Sequence, residues 1–186
     1  MATDEERWVQ QARQGDREAF RRLVEAHARP LFALCSRITR DAAMAEDAVQ
    51  EALLNAYRHL ADFDGRSSFR TWLHRIGVNA ALGQIRRQGK FDYVENDDED
   101  DNDFLERCMD ETPSPRHHAQ GEEIRRNIDR ELERMTALER SAFLLRHVEG
   151  HSINDISQTL SLNISACKQA IFRAVRKLRG ALQPLR

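Results

Sequence analysis

The chain has 186 residues, of which 32% are charged and 6% aromatic, and its formal net charge at pH 7 is −2. This composition is typical of a soluble helical protein with one ordinary domain or two small ones. No run approaches the roughly 20 apolar residues that cross a membrane, and the polar N-terminus does not resemble a signal peptide. We therefore expect no membrane insertion and a cytoplasmic location.

Four helices are expected in the first half of the chain. Thr3 or Asp4 can cap a first short helix that ends near Gly15, and Asp16 can cap a second. Pro30 should kink or reset this second helix, because proline donates no N–H and clashes with the preceding turn.

The third helix is expected from about Asp41 to Leu60, because its apolar residues recur at helical spacing. Phe63-Asp64-Gly65 should break it, and Ser67 or Ser68 should cap a fourth helix. The apolar positions are Ala45, Val49, Ala52 or Leu53, Ala56 and Leu60 on the third helix, and Phe69, Trp72, Leu73, Ile76 and Ala80 on the fourth.

An acidic segment follows the fourth helix. Residues 92–111 carry eleven acidic residues and one basic residue, a net charge of −10, so the rest of the chain carries +8. A segment this charged, followed by prolines, cannot bury enough apolar surface to fold alone. We predict a flexible acidic linker over 92–118 between a domain at 1–91 and a domain at 119–186. The basic remainder suggests an anionic partner such as nucleic acid.

The second domain should also be helical. A charged helix is expected from Ala119 to Met135, and Thr136-x-x-Glu139 is a capping box for the next helix. The core face of that helix is predicted to be Leu138, Phe143, Leu144 and Val148, and Gly150 should end it. Ser152 should cap a short helix holding Ile153, Ile156 and Leu160. A turn at 161–163 and a long helix from Ile164 or Ser165 to about Leu182 complete an all-α fold.

The last two helices are arranged as a helix-turn-helix. We expect the long helix to bury Ala166, Ala170, Ile171, Ala174, Val175 and Leu178. Its other side presents residues suited to base edges and phosphates: Lys168, Gln169, Phe172, Arg173, Arg176, Lys177 and Arg179. The alternative is an amphipathic helix with a solvated basic face.

Two surfaces of the first domain are also candidates for binding. On the third helix, Asp47, Gln50, Glu51 and Leu54 share a face suited to a partner helix, although a solvated face is the simpler interpretation of this segment alone. Around the fourth helix, aromatic and basic residues alternate. The basic residues there can contact phosphates, Asn79 can make paired hydrogen bonds to a base, and aromatic rings can stack on unpaired bases. The alternative is that Phe69 and Trp72 belong to the core, and we favour it for Trp72.

Metal, cofactor and catalytic chemistry are not expected. Cys35, Cys108 and Cys167 lie far apart without ligand spacing, and His117 and His118 are interpreted as solvated loop residues. The sequence has no glycine-rich phosphate loop and no nucleophile with a base at suitable spacing, which argues against an enzyme.

Two sets of motifs occur in order along the chain. The first set is residues 15–20 (GDREAF), 45–51 (AEDAVQE) and 69–73 (FRTWL), with Ile76 and Asn79. The second set is residues 138–140 (LER), 143–146 (FLLR), 149–152 (EGHS), 155–156 (DI) and 172–174 (FRA). The first set resembles region two, and the second set region four, of extracytoplasmic-function (ECF) sigma factors of the sigma-70 family. The resemblance implies a region-two helical bundle and a region-four helix-turn-helix, in a protein that binds core RNA polymerase and promoter DNA.

The resemblance also implies roles for individual residues. Core polymerase would be gripped by Asp47, Gln50, Glu51 and Leu54. Asn79 would lie near a flipped base of the −10 element, with further −10 contacts from Phe63, Ser67, Phe69, Arg70, Arg75, Arg86 and Arg87. The −35 element would be read by Ser165, Lys168, Gln169, Phe172, Arg173, Arg176 and Lys177. An anti-sigma factor is a further expected partner.

Two other functions remain open on the sequence. A stand-alone helix-turn-helix regulator would bind specific duplex DNA without polymerase. An inhibitor of polymerase, or of another sigma factor, would bind its target and start no transcripts.

Overall fold

The computed structural model describes residues 4–89, 128 and 130–182, and side chains as far as Arg179. Contacts between residues divide the chain into two compact units, Met1–Lys90 and Phe91–Arg186. The described residues form helices, turns and loops without a strand, which confirms the all-α prediction.

The described part of the first unit, residues 4–89, forms four α-helices, and three of the predicted helix starts are confirmed. The helices are α1 (Asp4–Arg13), α2 (Arg17–Thr39), α3 (Ala42–Arg58) and α4 (Phe69–Arg87), with a 3₁₀ turn at Leu60–Asp62. The Asp16 carboxylate accepts the backbone N–H of Glu18 at 2.8 Å, and Asp41 caps α3 in the same way. Ser68, rather than Ser67, caps α4.

Pro30 does not reset α2, so that part of the prediction was wrong. The helix runs without interruption from residue 17 to residue 39. Pro30 is exposed, whereas Leu23 and Leu31 are fully buried on either side of it. An interior proline costs about 3 kcal/mol, and each fully buried leucine contributes about 1.5–3 kcal/mol. A continuous buried face therefore offsets the cost of the proline.

Small residues allow the helices of the first unit to approach closely. On α3, Ala45, Ala48, Ala52 and Ala56 are all fully buried, while the predicted stripe residues Val49 and Leu53 are half-buried. On α4, a Cβ atom at Gly77 would lie 2.5 Å from Leu31 Cδ1 of α2. The lack of a side chain at Gly77 thus sets the distance between α2 and α4, and with it the position of the outer face of α4.

The second unit is built from three described helices after a helical segment at 130–133. These are α5 (Ala137–Phe143), which continues as a π-helical turn at Leu144–Val148, α6 (Ile153–Leu160) and α7 (Ile164–Leu182). The capping box is confirmed: Thr136 Oγ1 accepts the Glu139 N–H at 3.2 Å, and a Glu139 carboxylate oxygen accepts the Thr136 N–H at 3.0 Å. Ser152 caps α6 as predicted.

Val148 is 48% exposed, so its prediction as a core residue was wrong. The cause is the wider turn at the end of α5, in which the Glu149 N–H bonds to the Leu144 carbonyl at 3.0 Å, five residues earlier. A π-turn adds a residue to the helical repeat, so positions that follow it rotate away from the 3.6-residue face.

The core of the second unit joins its first and last described helical segments. Leu132 and Met135 pack against Ala174 and Leu178 of α7. The buried Arg140 guanidinium donates to the carbonyls of Leu132 at 2.8 Å and Met135 at 3.1 Å. These bonds satisfy carbonyls at the end of the segment that precedes α5.

The helix-turn-helix forms as predicted, with α7 starting at Ile164. Ser161 has φ +54°, and the Asn163 side chain accepts the Ala166 N–H at 2.7 Å, so the turn both reverses the chain and caps α7. Among the predicted buried residues, four are buried and Ala166 and Val175 are half-buried. The prediction missed Cys167, which is fully buried.

Several predictions concern residues outside the described ranges. They are the linker at 92–118 with its acidic segment, most of the helix at 119–135, and the side chains of Cys108, His117 and His118. The boundaries of the two domains remain predictions.

Candidate nucleic-acid interface

The α3 face predicted to bind a partner is largely exposed. Asp47, Gln50 and Leu54 are exposed, and Leu54 has a relative exposure of 51%. Tyr57, three residues after Leu54, is 46% exposed, and its ring packs edge-on against Phe20 at 5.0 Å. The prediction missed Tyr57, which its spacing from Leu54 could have indicated. The face offers two apolar groups beside a carboxylate and an amide, a composition suited to a helical partner.

Glu51 differs from its neighbours on this face because it is half-buried and paired within the chain. Its Oε2 atom lies 2.7 Å from Arg87 Nη2 and accepts a hydrogen bond from Gln84 at 3.3 Å. The structure therefore joins one residue predicted to bind polymerase to one predicted to bind DNA.

Aromatic rings from the loop before α4 and from the start of α4 itself form a cluster. The Phe63 ring lies 6.0 Å from Phe69 and 5.2 Å from Trp72, between ring centroids. Phe63 and Phe69 are 6% and 3% exposed, while Trp72 is half-buried. Phe69 is therefore a core residue, whereas Trp72, which we favoured for the core, packs against the cluster with part of its surface exposed. A base that stacked on Phe63 or Phe69 would require movement of this loop.

A cavity of about 670 Å³ lies between this loop and α1. Glu5, Val9 and Gln10 line it on one side, and Arg66 and the half-buried Ser67 on the other. Glu5 also contacts His27 Nε2 at 3.1 Å, which joins α1 to α2 next to the cavity.

The outer face of α4 presents polar and basic groups. Arg70, Asn79, Arg86 and Arg87 are exposed, and Arg75 is half-buried. Asn79 lies between Val78 and Ala80, which are both buried, so its carboxamide projects from a fixed backbone. A carboxamide in this position can donate one hydrogen bond to a base edge and accept another.

The predicted reading face of α7 is exposed to different degrees. Ser165 and Arg176 are exposed, whereas Lys168, Gln169 and Phe172 are half-buried. Ser165 and Lys168 lie in the first turns of the helix, the part that enters the major groove in helix-turn-helix proteins.

Arg173 and Lys177 of α7 lie beside the buried carboxylate of Glu139, which the sequence indicated only as part of a capping box. Glu139 is 3% exposed, and its Oε2 atom lies 2.6 Å from Lys177 Nζ. Its Oε1 atom lies 3.8 Å from Arg173 Nε. Glu139 and Lys177 are 38 residues apart, so no local sequence pattern indicates this pair.

Neither described cysteine is activated. Burial raises the pKa of Cys35 to about 12 and that of Cys167 to about 11. A raised pKa keeps both thiols protonated at neutral pH and therefore poorly nucleophilic. Within residues 4–89, 128 and 130–182, no group of three metal-ligating side chains occurs, and no helix is long and apolar enough to cross a membrane.

Comparison with known proteins identifies the family. The model of Sigma-70 region 2 matches residues 23–91, and the model of Sigma-70 region 4 matches residues 125–178. The chain is 32% identical over 179 residues to the RNA polymerase sigma-H factor of Pseudomonas aeruginosa, covering 95% of this chain and 93% of that protein. It is 31% identical over 183 residues to the ECF RNA polymerase sigma-E factor of Escherichia coli K12, with coverage of 95% and 93%.

Solved structures share the fold. The sigma factor RpoE, in complex with the anti-sigma factor NepR from Bartonella quintana, has a TM-score of 0.63 and 21% identity, covering 88% of this chain and 96% of that one. CnrH, in complex with the cytosolic domain of CnrY, has a TM-score of 0.62 and 24% identity, with coverage of 98% and 99%. The two family regions in order and the identity to curated relatives along almost the whole chain show that this protein belongs to the sigma-70 family of RNA polymerase sigma factors, in its ECF group.

Proposed function

We propose that this sigma factor uses three separate surfaces: the α3 face to bind core RNA polymerase, the α4 face to capture the −10 element, and α7 to read the −35 element. The observation that carries the proposal is the presence of regions 2 and 4 in one chain, each with exposed polar residues at the positions predicted for contact.

Core binding would use the exposed α3 residues. Asp47 offers a negative charge and Leu54 an apolar side chain on one face of the helix. An exposed apolar side chain beside charged groups is typical of a partner surface, where the apolar group is desolvated and the charges set the orientation. Glu51 would contribute less, because Arg87 already neutralises its charge.

Capture of the −10 element would use Asn79 and the surrounding arginines. Sequence-specific contacts need a hydrogen-bonding side chain on a fixed backbone, which Asn79 provides on α4. Arg70 and Arg86 would neutralise phosphates of the single strand, and Arg87 would contribute less because it pairs with Glu51. Phe63, Ser67 and Phe69 would shape the loop beside the captured base.

Recognition of the −35 element would use the N-terminal half of α7. Ser165, Lys168 and Gln169 occupy its first turns, and Phe172 and Arg173 follow one turn later. Arg176 would contact a phosphate near the end of the groove. The protein would catalyse no reaction itself and would act with RNA polymerase in the cytoplasm.

An anti-sigma factor is a proposed further partner. Two proteins that share this fold were solved with partners, the anti-sigma factor NepR in one case and the cytosolic domain of CnrY in the other. By analogy, a regulator that covered the α3 face would block access to polymerase.

Core binding can be tested with the purified protein labelled with a fluorophore and titrated with bacterial core polymerase. We expect Asp47→Arg to weaken binding at least about tenfold, since a reversed charge at a complementary contact costs more than 1.4 kcal/mol. Glu25→Arg is the matched control, because Glu25 is an exposed carboxylate on α2, 59% exposed in its side chain. Equal weakening by both variants would show that net charge, and not the α3 face, governs binding.

A further inference from the structure

The guanidinium of Arg87 lies flat against α4. If Gly83 carried a Cβ atom, that atom would lie 3.7, 3.8 and 3.9 Å from Nη1, Nη2 and Cζ of Arg87. An edge of the planar guanidinium directed at this point would place Cζ about 0.5 Å farther away than the two nitrogens. The three distances are instead nearly equal, so a face of the guanidinium lies over Gly83.

Glu51 of α3 holds the guanidinium from the side. Its Oε2 atom lies 2.7 Å from Arg87 Nη2 and also accepts a hydrogen bond from Gln84 Nε2 at 3.3 Å. The pairing limits rotation of the guanidinium plane. It also partly neutralises the charge of Arg87, which makes this side chain a weaker ligand for phosphate than an arginine without a carboxylate partner.

The opposite face of the guanidinium is open to solvent. The Arg87 side chain is 56% exposed. Because one face lies over Gly83 and one nitrogen bonds to Glu51, the other face is the part that the described chain leaves exposed. Guanidinium faces stack on aromatic rings, and unpaired nucleobases bind proteins in this way. Arg87 therefore presents a flat, oriented surface of the kind that a nucleobase can cover.

The distance from Asn79 indicates which base this surface can reach. Asn79, Gly83 and Arg87 follow one another at intervals of four residues, so they lie along one side of α4. At about 1.5 Å per residue, the guanidinium over Gly83 is about 6 Å along the helix axis from Asn79. Stacked nucleotides of one strand are about 3.4 Å apart, and unstacking widens this distance. A base next to the one at Asn79 would therefore reach Arg87.

We propose that Arg87 is a stacking platform for an unpaired base of the −10 strand, the neighbour of the base that Asn79 binds. This inference rests on the proposed capture of the −10 strand by α4. It replaces the expected phosphate contact of Arg87 with a contact to the face of a base. Glu51 is then a positioning residue, which orients Arg87 and does not touch DNA.

The test uses DNA strands that lack one base. Holoenzyme is assembled from core polymerase and the complete protein. Its affinity is measured for a fluorescent single strand with the −10 element of a promoter that it transcribes, and for strands in which each −10 nucleotide in turn is an abasic site. Every base has a face that can stack, so removal of a base reveals such a contact better than a change of base does.

Arg87→Lys keeps the positive charge and removes the flat group. We expect it to weaken binding of the intact strand by roughly 3- to 10-fold. It should make no difference on the one abasic strand that lacks the stacked base, because both changes remove the same interaction. That position should neighbour the one at which Asn79→Ala makes no difference.

The matched control is Arg21→Lys. Arg21 is an exposed arginine of α2 that also pairs with glutamates, Glu18 and Glu25, each at 2.6 Å. We expect this variant to bind every strand as the wild-type protein does. A loss equal to that of Arg87→Lys would contradict the proposal, because it would show that the change from arginine to lysine acts without regard to position.

Glu51→Ala separates positioning from neutralisation. If Glu51 only reduces the charge of Arg87, its removal should strengthen strand binding, because the released guanidinium attracts phosphates. The proposal predicts the opposite result, which is weaker binding of the intact strand and no difference on the abasic strand identified with Arg87→Lys. Core polymerase is supplied at concentrations that saturate each variant, so a change in core affinity does not contribute. Stronger strand binding by Glu51→Ala would overturn the positioning role.

The proposal is wrong if Arg87→Lys binds the intact strand as tightly as the wild-type protein does. It is also wrong if the weakening persists on every abasic strand, as expected for a phosphate contact, or disappears at a base remote from that of Asn79. Failure of the proposed function is distinguishable, because wild-type holoenzyme would then bind intact and abasic strands alike.

Discussion

Glu51 on α3 and Arg87 on α4 form an ion pair, with 2.7 Å between Oε2 and Nη2. Their side chains are 39% and 56% exposed, so solvent screens the pair. The pair joins the proposed polymerase surface to the proposed DNA surface. While the pair is formed, Glu51 and Arg87 partly neutralise each other, so each charge is less available to polymerase or to DNA.

The first prediction concerns the two acidic residues of the α3 face. Glu51→Gln should lower the free energy of unfolding by less than about 1 kcal/mol, as expected for an exposed pair. It should also weaken core binding less than Asp47→Asn, because Arg87 already neutralises Glu51. Urea denaturation and core titration measure the two effects. Stronger weakening of core binding by Glu51→Gln would show that Glu51 leaves Arg87 when polymerase binds.

The second prediction concerns capture of the −10 strand. Asn79→Ala should weaken binding of holoenzyme to single-stranded −10 DNA by about 5- to 100-fold if Asn79 reads a base. Stability should change by less than about 0.5 kcal/mol, because residue 79 is exposed. Asn154→Ala, at an exposed residue of α6, is the control for strand binding. Unchanged strand affinity in Asn79→Ala would remove Asn79 from the −10 site.

The third prediction compares two glycines of α4. Gly77→Ala should destabilise the protein by about 1–3 kcal/mol, because the new Cβ would lie 2.5 Å from Leu31 Cδ1. Gly83→Ala should instead stabilise it by about 0.5–1 kcal/mol, since the nearest atom, Arg87 Nη1, is 3.7 Å away and alanine favours helix. Thermal unfolding of the two variants measures the contrast. Equal melting temperatures would mean that α2 and α4 are less closely packed than described.

The fourth prediction concerns the buried thiols. The folded pKa of Cys35 and of Cys167 lies above the ordinary value of 9.0, so the folded state holds these protons more tightly than the unfolded state. Their contribution to stability is therefore complete below about pH 9 and is lost as pH rises toward 11 or 12. In a Cys108→Ser background, both thiols should resist a disulfide reagent at pH 8 and react in urea. Rapid labelling of either thiol in the folded protein would contradict its burial.

Much of the fold could be predicted because local chemistry determines it. Asp16, Ser152 and the Thr136–Glu139 capping box start helices through bonds that span two or three residues. Such bonds depend on neighbours in the sequence, so the sequence alone indicates them.

Features that depend on distant residues could not be predicted in this way. Pro30 is tolerated because residues distant in the sequence bury the face of α2 that carries Leu23 and Leu31. Val148 is exposed because a π-turn shifts the helical repeat, which a 3.6-residue pattern does not represent. The Glu139–Lys177 pair spans 38 residues and forms only when α5 packs against α7.

Family resemblance suggested the candidate site residues, and the structure shows which other residues each of them contacts. It distinguishes exposed residues such as Asp47 and Asn79 from residues already engaged within the chain, such as Glu51 and Lys177. This distinction depends on tertiary contacts and is the basis of the predictions above.

The central claim is that this chain directs RNA polymerase to promoters through regions 2 and 4. The most direct measurement is run-off transcription with purified bacterial core polymerase and a genomic promoter library, with and without the protein. We predict new, defined start sites that require it and share −35 and −10 elements. Stable core binding without new starts would instead indicate an inhibitor, and specific duplex binding without core binding would indicate a stand-alone regulator; either result would contradict the account.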